Sequence, residues 1–191
     1  PWTALISGYV QHDNCTEALS CFDRMLSEGI SPNEVTFTWI LKACASIAAI
    51  EKAKAIHAQI DRDMSLKADD FISSALINMY VKCGTLQEAQ HVFDHIPAPD
   101  LVAWGAMIMG YVQEGNVSEA FELFIHMLHQ QIEPDEGLYA SIMKACSLTG
   151  VARKFGRLLH DGIIQNGFDS ISIVSNAIIY MYGSCESLED A

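Results

Sequence analysis

Apolar residues recur along this chain in paired stripes at helical spacing. In the first pair, Leu5, Ile6, Tyr9 and Val10 share one helix face. His12–Asn14 interrupt the pattern, and Ala18, Leu19, Phe22, Met25 and Leu26 then trace a second apolar face. Thr16 is placed to cap this second helix, and Glu17 suits its N-terminus, where the helix dipole favours an acid. The segment EGISPN (Glu28–Asn33) ends it, because glycine permits the turn and proline cannot continue a helix. No alternating run signals a strand. The predicted unit is an antiparallel helical hairpin.

The hairpin repeats at two levels. Sliding the chain by 102 residues aligns 1–89 with 103–191, and about 29 of these 89 positions are identical. WTALISGYVQHDN meets WGAMIMGYVQEGN, LKAC meets MKAC, and SALINMY meets NAIIYMY. A finer period links TEALSCFDRM (Thr16–Met25), QEAQHVFDHI (Gln87–Ile96) and SEAFELFIHM (Ser118–Met127). The predicted division is 1–33, 34–69, 70–100, 101–135, 136–171 and 172–191, the first and last incomplete. Ala4, Gly8 and Ala18 return as Ala106, Gly110 and Ala120, small residues that let helices approach closely. A row of such hairpins, each burying its apolar face on the next, predicts an all-α, right-handed α-solenoid.

Composition narrows the picture. Apolar residues make up 50% of 191, enough for a sizeable core, and no stretch of 18 or more runs without charges, so no membrane span is expected. The net charge of −13 opposes non-specific attraction to nucleic acid or anionic lipid. Of six cysteines (Cys15, Cys21, Cys44, Cys83, Cys146, Cys185), four form two repeat-equivalent pairs and none lies in a CxxC, which favours buried reduced thiols. The chain starts inside one helical pattern and stops at SLEDA inside another, as a piece of a longer array does.

The residues resemble a plant-type pentatricopeptide repeat array of the subfamily that cycles standard, long and short repeats. WTALISGYVQHDNCTEALSCFDRMLSEGISPN is similar to the standard motif, FTWILKACASIAAIEKAKAIHAQI to the long one, and ISSALINMYVKCGTLQEAQHVFDHIPAPD to the short one. Complete lengths of 36, 31, 35 and 36 disfavour the tetratricopeptide alternative, which keeps a 34-residue period. The resemblance implies modular binding of single-stranded RNA in mitochondria or chloroplasts, one base per repeat, in C-to-U editing or related RNA processing, alongside other RNA-processing proteins.

In the family, a polar residue in the first helix and the last residue of the repeat choose the base together. Carried over, the pairs are Thr3 with Asn33, Thr38 with Asp69, Ser74 with Asp100, and Gly105 with Asp135, with Asn176 as selector of the final repeat. The pattern implies adenine for Thr3/Asn33, guanine for Ser74/Asp100 and a pyrimidine for Asn176. Ala140/Ile171 is apolar at both places and Gly105 has no side chain, so these repeats read poorly. Bases would be sandwiched by Val35, Phe71, Val102 and Ile173, where Gly137 breaks the series; packing between neighbouring first helices is the competing role. Lys42, Lys82 and Lys144 fall on the faces of their selectors and could meet phosphates or simply be solvated. Nine of the eleven bases lie in 34–69 and 136–171, among them Lys52, Lys54, Lys67, Arg153 and Lys154, mostly in second helices expected to face outward.

Catalytic chemistry is not expected. His91/His95 and His126/His129 have one-face spacing, but no third ligand and no HExxH accompany them, so neither a metal nor another cofactor is predicted. GxSxG, P-loop and GxGxxG motifs are missing. Arrays of this kind often continue into a zinc-dependent cytidine deaminase, whose HxE and PCxxC marks do not occur here. The alternative function is a helical scaffold for partner proteins, which the acidic charge favours.

Overall fold

The computed structural model describes residues 1–63, 66, 69–149 and 152–184. Lys67, Cys185 and the rest of the final repeat lie outside the described residues, as do the side chains of Arg153 and Lys154. Regular structure among the described residues is helical: α1 (Trp2–Gln11), α2 (Cys15–Ser27), α3 (Glu34–Ser46), α4 (Ile50–Ile60), α5 (Asp70–Lys82), α6 (Leu86–Asp94), α7 (Leu101–Gln113), α8 (Val117–His129), α9 (Glu136–Thr149), α10 (Ala152–Gln165) and α11 (Ser172–Ser184). The chain divides into two compact units, Pro1–Met107 and Ile108–Ala191, with α7 running across the division.

In the first unit, α1 packs on α2 and α3, α3 on α4 and α5, and α5 on α6. The first helices α1, α3 and α5 are therefore successive neighbours, and the second helices back them. In the second unit, α9 packs on α8, α10 and α11. The apolar stripes explain this directly: Ile6, Ala18, Phe22, Ile40, Leu41 and Ile77 have no exposed surface. Phe22 meets Phe37 edge-on at 6.0 Å between ring centroids, and the repeat-equivalent Phe124 meets Tyr139 at 5.7 Å. Removing one such ring costs about 3–5 kcal/mol.

Turn geometry corrects one expectation. Thr16 does not cap α2, because the helix begins at Cys15 and the Thr16 hydroxyl donates to the Glu17 carboxylate at 2.7 Å. Asp13 adopts a left-handed conformation (φ 57°) and Asn14 N–H donates to Tyr9 carbonyl at 2.9 Å, so the turn closes within three residues and the next helix starts early. The hairpin exits are alike: Gly29 (φ 74°) and its counterpart Gln131 (φ 60°) both turn left-handed. A non-glycine residue there costs about 1–2 kcal/mol.

Cys15, Cys21 and Cys44 are buried free thiols, Cys83 is a half-buried one, and Cys146 is buried. Burial pushes the Cys44 thiol up to about 12.

A constant offset of 102 fails in one place. Buried Ala53, Ile56 and Ile60 of α4 correspond to buried Gly156, Leu159 and Ile163 of α10, an offset of 103. The half-buried His57 then matches His160, and each bonds the tyrosine of the following first helix: His57 Nδ1 to Tyr80 OH at 2.8 Å, His160 Nδ1 to Tyr182 OH at 3.2 Å. An extra residue before α10 and one fewer after it account for the slip.

Candidate nucleic-acid interface

The residue before each of four first helices does the same local job. Asn33 Oδ1 accepts the Thr36 amide at 2.9 Å, Asp69 Oδ1 the Ile72 amide at 2.9 Å, Asp100 Oδ1 the Ala103 amide at 2.8 Å, and Asp135 Oδ1 the Leu138 amide at 2.8 Å. Each is an N-cap, satisfying a helix-start donor that would otherwise lack a partner. Capping also fixes the side chain's rotamer. The second polar atom of each Asn or Asp is thereby held in a defined direction.

Two of the expected pairs are joined through this cap. Ser74, 5% exposed, donates its hydroxyl to Asp100 Oδ1 at 3.0 Å. Thr3 reaches Asn33 through an intermediary: fully buried Thr36 donates to Asn33 Oδ1 at 2.7 Å, and Thr3 Oγ1 lies 2.8 Å from Thr36 Oγ1. Because Thr36 spends its single proton on Asn33, Thr3 must donate to Thr36. Both of Asn33's partners are donors, which fixes its oxygen inward and its amide nitrogen outward. Thr36 was not foreseen from the sequence, although a threonine three residues after a capping asparagine was the visible signal.

The other expected positions are not joined in this way. Thr38 donates to the Glu34 carbonyl at 2.9 Å, and no hydrogen bond links it to Asp69 among the described residues. Gly105 lies on α7 without a side chain, Ala140 is buried on α9, and Asn176 is exposed on α11.

Val35, Phe71, Val102 and Ile173 are each the second residue of their helix, and they are 52%, 77%, 56% and 60% exposed. Packing between first helices therefore does not cover them, and each unit presents apolar surface beside the positions expected to select bases. Between α3 and α5 a cleft of about 190 Å³ is lined by Thr38, Lys42, Asn78 and Lys82 together with Leu41, Ala45, Ala75 and Met79.

The described lysines are sorted by helix layer. On α4, Lys52 pairs with Asp23 of α2, and Lys54 pairs with Glu88 of α6 at 3.1 Å. Lys42 and Lys82 on the first helices, and Lys144 on α9, are exposed and meet no carboxylate among the described residues. Lys42 instead lies 5.0 Å from the ring centroid of Trp39, a cation–π contact that holds the ammonium without neutralising it.

The histidine pairs make no metal centre among the described residues. The His91 and His95 rings lie 4.5 Å apart, and His95 Nδ1 bonds the His91 carbonyl at 2.7 Å. His126 and His129 are exposed on α8.

A family model described as the PPR repeat family matches residues 2–46 and 99–147, and a second described as PPR repeat matches 71–97. The chain belongs to the pentatricopeptide repeat family. Across its whole length it is 34% identical to the Arabidopsis thaliana pentatricopeptide repeat-containing protein At4g25270, chloroplastic, and 36% identical to At3g02330, mitochondrial. It spans 35% and 21% of those relatives' lengths. Among solved structures, a triple cysteine-to-serine variant of pentatricopeptide repeat protein PPR10 in complex with an 18-nt psaJ RNA element matches with a TM-score of 0.81 at 19% identity, covering 97% of this chain and 28% of that one. The PPR domain of Arabidopsis thaliana protein-only RNase P 1 in complex with tRNA matches with a TM-score of 0.72 at 16% identity, covering 100% of both chains. These likenesses establish the fold class, an all-α solenoid of helical hairpins.

Proposed function

We propose that this pentatricopeptide repeat segment binds single-stranded RNA, its repeats dividing at 33/34, 69/70, 100/101, 135/136 and 171/172, with bases chosen by Thr3/Asn33, Thr38/Asp69, Ser74/Asp100, Gly105/Asp135 and Asn176. The observation that carries this reading is the donor and acceptor pattern of the two joined pairs. With its proton given to Thr36, Thr3 offers lone pairs, while Asn33 offers amide hydrogens. Acceptor beside donor complements the N6–H and N1 of adenine. With its proton given to Asp100, Ser74 offers lone pairs and Asp100 Oδ2 adds an acceptor. Two acceptors complement the N1–H and N2–H of guanine.

The exposed Val35, Phe71, Val102 and Ile173 support sandwiching of the bases, and the unneutralised Lys42, Lys82 and Lys144 support phosphate contacts. RNA-bound structural relatives and relatives named chloroplastic or mitochondrial support an organellar RNA-binding role. The cycle of repeat lengths favours a C-to-U editing specificity factor that acts with other RNA-processing proteins.

The test is base scanning of short RNAs against the purified chain. Adenine and guanine are expected to be preferred beneath the first and third repeats, and equal affinity for all four bases at both places would sink the assignment. Sequencing of organellar transcripts from a line lacking the protein tests the editing role, through loss of specific C-to-U sites.

A further inference from the structure

We infer that Tyr180 is a further RNA-contacting residue, a stacking platform for a base in the second unit; this rests on the RNA-binding reading above. Ile173, Asn176 and Tyr180 stand at i, i+3 and i+7 on α11, so they share one face. All three are exposed, Tyr180 by 59%.

The first unit supplies an internal control. Buried Ile72, Leu76, Met79 and Tyr80 of α5 match buried Val174, Ile178, Met181 and Tyr182 of α11 at an offset of 102, which fixes the register. On that register Ile179 matches Ile77, which is fully buried, so exposure is not a property of that position. Tyr180 matches Asn78, which is exposed and lines the cleft between α3 and α5 with Lys42 and Lys82. The packing duty of a tyrosine in this helix already belongs to Tyr182, 5% exposed and bonded to His160. Tyr180 therefore occupies the counterpart of a cleft-lining position in the first unit, one that the core does not require to be aromatic.

The chemistry of the surrounding helices suits stacking. The packed neighbour α9 carries exposed Lys144, the counterpart of Lys42, but Ala140 replaces Thr38 and Gly137 replaces Val35. Selection by hydrogen bonds is therefore weakest here. An aromatic ring stacks on any base, so it adds affinity without demanding a sequence.

The experiment measures binding of the 191-residue chain to a fluorescein-labelled pool of random single-stranded 12-nucleotide RNAs, and to one strand carrying a single abasic nucleotide at each position in turn. Tyr180→Ala is expected to weaken binding by roughly five- to a hundredfold, while Tyr180→Phe and Tyr180→Trp stay within about twofold of the parent. One abasic position should weaken the parent and leave Tyr180→Ala unaffected. Parent-like binding by a Tyr180→Ala chain with unchanged circular dichroism overturns the inference and leaves RNA binding standing. If the parent binds no RNA, both fall.

Discussion

At Asp100 one carboxylate oxygen accepts both the Ala103 amide and the Ser74 hydroxyl, which commits that oxygen to the fold and holds the other in place. Fold and recognition can therefore be separated by substitution. Asn caps a helix as well as Asp does, so Asp100→Asn should leave the denaturation midpoint nearly unchanged. The same change turns an outward acceptor into a donor, and base scanning should show the preference moving from guanine toward adenine by about 1–3 kcal/mol. Asp100→Ala should lose both functions, at a cost of about 1 kcal/mol in stability. Ala-like stability in Asp100→Asn would show that the cap needs the charge, and an unmoved preference would show that this atom does not read. Family pattern singled out Asp100 in the sequence as a candidate reader. Its service as a cap was not read there, since pairing rules say nothing of the amide three residues on.

Between elements, Gly162 of α10 shows one repeat compensating for a larger side chain in another. A Cβ at Gly162 would lie 2.7 Å from the Tyr139 hydroxyl, whereas the counterpart of Tyr139 in the first unit is Phe37, without that oxygen. Gly162→Ala should therefore destabilise by about 1–3 kcal/mol through overpacking, despite the better helix propensity of alanine. Adding Tyr139→Phe should recover much of the loss, and additive costs in this double-mutant cycle would contradict the clash.

Tyr80, which joins α5 to His57 of α4, gives a pH signature. Burial, with the Glu88 and Asp61 carboxylates adding to it, pushes its phenol up to about 12, above the ordinary 10.0. Below pH 10 the phenol is neutral in both folded and unfolded chains and its contribution is present in full. Above 10 the unfolded chain ionises first, so stability should fall as pH rises toward 12. Tyr80→Phe should flatten denaturation curves across that window. The hairpins themselves were plain from apolar spacing, but the shifted register of α10 was hidden, because sliding by one fixed offset cannot register an insertion and a deletion that cancel.

For the whole molecule the central tension is a net charge of −13 on a protein proposed to hold a polyanion. Long-range repulsion and local attraction respond to salt in opposite senses. At physiological ionic strength the Debye length is about 8 Å, so distant acids are largely screened and lysines beside the phosphates decide. Single-strand contacts give a slope of log K against log salt of about −0.7 per phosphate, so Lys42, Lys82 and Lys144 together allow about −2. Near 0.01 M the Debye length grows to about 30 Å, repulsion reaches the strand, and the plot should flatten. Replacing Lys42, Lys82 or Lys144 singly by Gln should reduce the slope at higher salt by about 0.7 each. Lys52→Gln and Lys54→Gln remove as much positive charge from the whole molecule but only break surface pairs with Asp23 and Glu88, and should leave that slope nearly unchanged. Equal effects from all five substitutions would mean that net charge, and not placement on the first helices, governs binding; affinity that rises with salt throughout would favour a protein-binding scaffold.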